Sequence, residues 1–505
     1  MRVRTFALWA AVGIACSSAG ALLLPIPAAR GDGPRSGRIE PETDPVRAAS
    51  HFVDGETLLL DGRLGHASVE RDPAGGTAGT FVLATVTGAD VIADERVAPP
   101  PVHLAIVIDR SGSMEGVKMG NAIAAAVGAV ERMHDGDRAT VIAFDDTARV
   151  LVRPTPIDPS TRPSVESSIR GMRAGGDTCI SCALDVATST LESSPGPRDE
   201  VRRILLISDG EPTTGVRDLR GLRALAAKAR DRGFAVSTIG VDLAFDEKVM
   251  AAIAQESNGR HFFVPDPGAL ERVFEQELGT LETALATDAD LAIEPAPGVV
   301  IDDVLDRSFR REGARIVVPL GAFDARQEKT VLIKVRVPAD AEGNQQVARL
   351  SLTYRDVLRR HDGRCAGTLA LEVRSDGSAQ RDLDPFVAAR VERNRTARTL
   401  TEANDLFERG HVDEARAALA RRETELSKAK APTVAAATAL PGPIRGSARP
   451  VDKDFGEQQA AIAQAESGFS PTTAHAAPGE PPPAVTPAAK SAVRSNQANA
   501  SDLSF

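Results

Sequence analysis

The stretch Pro101-Val-His-Leu-Ala-Ile-Val-Ile-Asp-Arg-Ser-Gly-Ser-Met114 decides the fold. Leu104 to Ile108 is an unbroken apolar run that stops abruptly at Asp109, Arg110, Ser111, Gly112 and Ser113. A run without polar alternation suits a strand buried on both faces, as in a parallel sheet. A tight polar turn follows, and Val117 to Met133 is then apolar at helical spacing. An acid and two hydroxyls thus sit where a buried strand hands over to a helix, the crevice where open α/β sheets bind ligands. Further out, Gly175-Gly176-Asp177-Thr178 precedes a second helical stretch. A second apolar run, Ile204 to Ile207, ends in Ser208-Asp209-Gly210.

Asp-x-Ser-x-Ser at 109–113, then Thr178, then a strand running into Asp209-Gly210, resembles the metal-ion-dependent adhesion site of von Willebrand factor A domains. The resemblance implies that Ser111, Ser113 and Thr178 bind Mg2+ (or Mn2+ or Ca2+) through neutral hydroxyls, with Asp109 and Asp209 acting directly or through water. Magnesium demands near-octahedral oxygen ligation and keeps some of its waters. With few charges around it the ion stays electrophilic, and its open position favours a carboxylate supplied by a protein partner. A plainer reading is a polar loop that caps a helix, as Ser and Asp do in any case. That reading leaves unexplained why Asp109 and Asp209 both follow buried strands.

The resemblance spans the α/β part of the chain, taken as residues 100–286. Strands are expected at 102–108, 138–144, 148–152, 202–208, 234–240 and 261–264. Helices are expected at 115–134, 163–172, 180–193, 217–232, 246–256 and 268–285. Strands alternating with amphipathic helices imply a doubly wound, mostly parallel, Rossmann-like sheet covered on both sides. Before it, Leu58–Leu60, His66–Val69 and Thr80–Thr87 are short runs of apolar and β-branched residues between Gly and Pro clusters. After it come five more, and Val331-Leu-Ile-Lys-Val-Arg-Val337 alternates as in a half-solvated antiparallel sheet. Each set is small for a sandwich, so residues 51–99 and 287–375 are expected to form one β-sandwich into which the α/β domain is inserted. That arrangement looks like bacterial proteins often labelled calcium-activated chloride channel homologues. Residues 383–428 read as a helical hairpin similar to one tetratricopeptide pair, which cannot bury its apolar face alone. Beyond Lys430 the composition turns to Ala, Pro, Ser, Gly and Gln, so 431–505 is expected to be a disordered tail, with a short helix at Gln458–Glu466 as the minor alternative.

The N-terminus carries Arg2 and Arg4, an apolar run from Phe6 to Leu24, then Pro25-Ile26-Pro27-Ala28-Ala29. It reads as an export signal over 1–29, followed by a linker at 30–50, with an uncleaved membrane anchor as the alternative. Periplasm or cell surface is the expected location, with membrane contact only through that signal or anchor. With Cys16 inside the signal, Cys179, Cys182 and Cys365 remain of the four cysteines. For Cys179-Ile-Ser-Cys182 a short structural disulfide bracing the Thr178 loop is expected, ahead of free thiols or a redox catalyst. A net charge of −10 over 505 residues argues against a nucleic-acid partner. An aromatic content of 4% argues against stacking platforms for bases.

The eight histidines are scattered, and His103 and His261, on strands, read as structural. Asp145-Asp146 reads as a solvated turn, although the family places a loop near the metal here. Arg110 is expected to point away from the ion and towards a partner. The expected function is an exported, metal-dependent adhesion or assembly module without catalytic activity. The rival is a phosphatase of the haloacid dehalogenase type, which needs a second carboxylate two residues after the first, where this chain has Ser111. A channel-associated subunit rests on the family label alone.

Overall fold

Residue by residue, the strand Val102–Asp109 serves two cores. Leu104, Ile106 and Ile108 face one apolar cluster with Met119, Ala126 and Val130 of the helix Val117–Arg132 and with Phe274 and Leu278 of the helix Leu270–Glu282. Ala105 and Val107 face another, with Ile180 and Leu184 of the helix Ile180–Glu192 and Leu222 of the helix Leu219–Arg230. Successive strand side chains point to opposite faces. Every residue of this strand is buried because helices cover both faces, which is why the sequence shows no alternation.

The chain appears as a computed structural model describing residues 49–90, 99–209, 211–241, 247–264, 266–305, 307–440, 450–469 and 487–504. The export signal expected at 1–29, nearly all of the linker at 30–50, and Gly210 lie outside them. In the α/β domain the sheet order is His261–Val264, Ala235–Val241, Val201–Ser208, Val102–Asp109, Arg138–Phe144, Ala148–Pro156. All neighbours are parallel except the last pair. The chain leaves Val102–Asp109 towards Arg138–Phe144 on one side and returns to Val201–Ser208 on the other. That is a topological switch point, and the carboxyl ends of the two central strands meet there.

Strands from both sides of this domain share two further sheets. One runs His51–Gly55, Leu58–Leu64, Thr77–Gly88, Glu328–Pro338, Val300–Leu305. The other runs Arg310–Glu312, Arg315–Asp324, Ala284–Pro295, Gly343–Asp356, His361–Arg374, Ser68–Glu70. The join is long: Thr77–Gly88 lies antiparallel to Glu328–Pro338, with Leu83 opposite Leu332. Leu58, Leu60, Val82 and Val86 of the first sheet share one apolar cluster with Leu291, Leu350 and Leu371 of the second. Val335 and Val337 are buried and Lys334 and Arg336 exposed, the alternation of a sheet with one wet face. Leu332 breaks that pattern because Val387 and Val391 of the helix Pro385–Glu408 cover it and Leu83.

The C-terminal part departs from expectation. The helix Pro385–Glu408 and the helix Val412–Ala439 do form a pair, joined through Gly410 at φ +86°. Two more helices, Val451–Gly468 and Pro487–Ser504, complete its core, so nearly all the described residues of 431–505 are helical rather than disordered. Phe455, Gln458, Ile462, Ala465 and Phe469 recur every three or four residues and are all buried. This is a helical stripe in which a glutamine and an alanine take the place of large apolar residues. Gln458 accepts a 2.8 Å hydrogen bond from the Thr396 hydroxyl, so its burial is satisfied. Alanine, counted there as a mark of disorder, is the strongest helix former.

Candidate functional site

Asp109 ends the central strand fully buried, and both of its carboxylate oxygens are hydrogen-bonded. The Ser111 backbone N–H donates to Oδ1 at 2.8 Å, and the Ser208 hydroxyl, from the end of the neighbouring strand, donates to Oδ2. The next residue of that neighbour, Asp209, is also fully buried. The Ser113 hydroxyl donates to Asp209 Oδ1 at 2.7 Å, and Lys118 Nζ lies 2.7 Å from Oδ2. Ser111 and Ser113 are linked through their hydroxyls at 3.0 Å. Four of the five candidate side chains, Asp109, Ser111, Ser113 and Asp209, therefore form one continuous hydrogen-bonded cluster.

Thr178 comes to the same edge on a loop tied to its neighbours by backbone bonds. Gly112 N–H donates to Gly176 C=O at 3.0 Å, and Gly175 N–H to Arg110 C=O at 2.7 Å. Thr178 is buried; its N–H donates to Thr213 Oγ1, and its C=O accepts from the amides of Thr213 and Thr214. Gly176 has φ +90°, and a side chain there would meet Asp145 Cβ at 2.9 Å, so the close approach of the two loops requires glycine. Directly after Thr178, Cys179 and Cys182 form a disulfide at the start of the helix Ile180–Glu192. Cys365 is a free thiol inside the β core, where burial pushes it up to about 12 and it packs as a small apolar residue.

Of the aspartate pair at 145–146, Asp145 is buried and structural, while Asp146 is exposed as expected of a solvated turn. Asp145 is buried and accepts from Arg110 and from Thr147 N–H; Asp146 accepts from Asp177 N–H. Burial would raise the Asp145 carboxyl, but the Thr147 amide and the Arg110 charge hold it below the usual carboxylate range. Arg110, expected to point away from the ion, is turned onto Asp145. His103 is buried with its ring nitrogen 2.9 Å from Thr140 Oγ1, and His261 Nδ1 is 2.9 Å from Thr238 Oγ1. Lys118, Ser208 and Thr213 were not singled out from the sequence. Each meets the site across a long sequence gap, and no local spacing signals it.

Burial pushes the Asp109 carboxyl up to about 6, against the Ser208 and Ser111 hydrogen bonds that favour its charged form. The charge of Asp209 beside it acts in the same direction as burial. Two buried carboxylates facing one set of hydroxyls is an arrangement that a cation would relieve. Among the described residues no three or more His, Cys, Asp or Glu side chains gather to hold a metal. A cation here would meet two carboxylates and neutral hydroxyls, a donor set that fits a hard ion such as magnesium and not zinc or copper. A cleft of about 840 Å³ lies at the opposite, amino-terminal edge of the sheet. Arg203, Arg260 and Asp324 line it where the domain meets the β-sheets.

Residues 103–276 match the model of the von Willebrand factor type A domain. The uncharacterised protein sll0103 of Synechocystis is 27% identical over 274 residues, which cover 52% of this chain and 64% of that protein. Inter-alpha-trypsin inhibitor heavy chain H4 of Homo sapiens is 26% identical over 238 residues, covering 45% of this chain and 25% of that protein. The chain therefore spans less than two thirds of the length of these curated relatives. Of the solved structures, a von Willebrand factor type A protein from Catenulispora acidiphila has a TM-score of 0.61 at 19% identity, covering 82% of this chain and 98% of that one. The ArnB paralog VWA2 from Sulfolobus acidocaldarius has a TM-score of 0.55 at 16% identity, covering 81% and 98%. These two likenesses bear on the fold alone, and they reach well beyond the α/β domain. Residues 103–276 of this chain are a von Willebrand factor type A domain.

Proposed function

We propose that Asp109, Ser111, Ser113, Thr178 and Asp209 hold a divalent cation, Mg2+ first and Mn2+ or Ca2+ as substitutes, and that the chain is a binding module for a protein partner. The observation that carries this reading is the pair of buried carboxylates, Asp109 and Asp209, joined through the Ser111 amide and the Ser111 and Ser113 hydroxyls at the carboxyl edge of the sheet. The hydroxyls supply oxygen ligands without adding negative charge. A bound cation then keeps enough positive field to take a carboxylate from the partner. The role is adhesion or assembly without catalysis: Ser111 stands where a phosphatase of the rival type needs a second acid.

Export to the periplasm or cell surface belongs to the same proposal. It is supported by the Cys179–Cys182 disulfide, a bond that persists in oxidising compartments. Among the described residues no helix is long and apolar enough to cross a membrane. We assign the whole to the architecture seen in bacterial chloride channel homologues, a von Willebrand factor A domain inserted in a β-sandwich, on the strength of the shared sheets.

Calorimetry with Mg2+ on the wild type and on Asp109→Ala and Thr178→Ala tests the site. Wild type should bind with modest affinity, and both variants should lose binding at least tenfold while melting cooperatively. Equal Mg2+ binding by all three proteins would reduce the cluster to a polar loop.

A further inference from the structure

We propose that Lys118 is a built-in counter-ion that holds the Asp109–Asp209 site to weak loading by a divalent cation alone, so that full loading waits for the partner's carboxylate. The proposal rests on the metal-site reading above and deepens it. Lys118 Nζ is 2.7 Å from Asp209 Oδ2, and the side chain is only 20% exposed while that of Asp209 is fully buried. The other oxygen of Asp209 accepts from Ser113, one of the proposed ligands. Lys118 thus touches the carboxylate that the cation must also feel.

Its placement runs against the ordinary preference of helices. Lys118 lies in the first turn of the helix Val117–Arg132, where the partial positive charge of the helix end disfavours a cation. The contact with buried Asp209 compensates for that position, and it also decides the charge of the site. Asp109, Asp209 and Lys118 together carry one negative charge, and Arg110 adds none because it is paired with Asp145. A divalent cation leaves this set with one positive charge in excess, and one partner carboxylate brings it to neutrality. Without Lys118 the same cation would neutralise the two aspartates unaided, and a partner carboxylate would arrive at a site with no charge to satisfy. Lys118 therefore couples metal binding to carboxylate binding, and linkage makes the coupling reciprocal.

The test uses the full chain with Mg2+ alone and Mg2+ with acetate as the carboxylate probe, read by calorimetry and by the Mg2+-induced shift in Tm. Lys118→Met and Lys118→Gln should each bind Mg2+ alone roughly tenfold or more tightly than wild type, since a unit charge in contact with the site is removed. Both should show a larger Mg2+-induced rise in Tm, because Asp209 is left buried without its cation. Lys118→Arg should behave as wild type. Acetate should tighten Mg2+ binding by wild type and not by Lys118→Met. If wild type binds Mg2+, Asp109→Ala does not, and the neutral Lys118 variants match wild type in affinity and Tm shift, the counter-ion role is wrong while the metal site stands. If neither wild type nor the Lys118 variants bind Mg2+ at all, the metal reading fails and takes this inference with it.

Discussion

At the scale of single residues, His103 shows how a buried polar group sets a condition on the fold. It is fully buried on the central strand, and burial first, then the charges of Arg138 and Arg202, lower it from 6.5 to about 3. The unfolded chain takes up this proton below pH 6.5 while the folded chain refuses it until about pH 3. The associated stability is therefore complete above pH 6.5 and is lost as pH falls through that window. At pH 5 the loss should be about 2 kcal/mol, from roughly 1.4 kcal/mol per unit. Urea midpoints at pH 7 and pH 5 check it: His103→Gln should reduce the difference, leaving the share of His261, which burial lowers to about 4, and an unchanged slope would assign the acid sensitivity elsewhere. The strand ends bearing Asp109 and Asp209 were legible in the sequence, because an apolar run that stops at an acid is a local signal. Ser208 and Lys118 were not, since their partners lie 99 and 91 residues away and no local pattern encodes the pairing.

At the scale of elements, the start of the helix Ile180–Glu192 is the most constrained point near the site. Cys179 N–H donates to Asp145 C=O, and Val216 N–H donates to Ser181 Oγ. The disulfide closes a loop with a sequence separation of 3. A loop so short restricts the unfolded chain little, so reduction should cost only about 2 kcal/mol of stability. Because Cys179 follows Thr178 directly, reduction should also weaken Mg2+ binding. Denaturation and calorimetry with and without a reducing agent test both effects. The double variant Cys179→Ser/Cys182→Ser should not respond to reductant, and a wild type equally indifferent would make the bridge irrelevant to the loop. Strongly periodic elements of the α/β domain could be read directly, whereas the helix Val451–Gly468 was legible only as a short alternative at Gln458–Glu466. Its stripe passes through Gln458 and Ala465, and Gln458 becomes a core residue only once Thr396 from another helix reaches it.

At the scale of the molecule, the β-strands divided by the von Willebrand factor A domain depend on each other. Val331, Ile333 and Val335 pack in a cluster that also needs Leu58, Leu60 and Val82 from the other side of the domain. Residues 102–283 should therefore fold alone, while 284–374 alone should aggregate or remain unfolded, as followed by circular dichroism and size-exclusion chromatography. Co-expression of 49–90 should improve the solubility of 284–374. A monomeric, cooperatively melting 284–374 fragment would contradict the insertion. The same pairing sets a timetable. Leu83 waits for Leu332, so at about 5–20 residues per second a ribosome adds roughly 250 residues, over tens of seconds, before the strand meets its neighbour. Throughout that interval Thr77–Gly88 presents an open hydrogen-bonding edge beside the apolar side chains of Val82 and Val86. The nascent chain is thus most vulnerable to association with its copies after its first strands emerge, and its yield should depend on chaperones that shield that edge during synthesis.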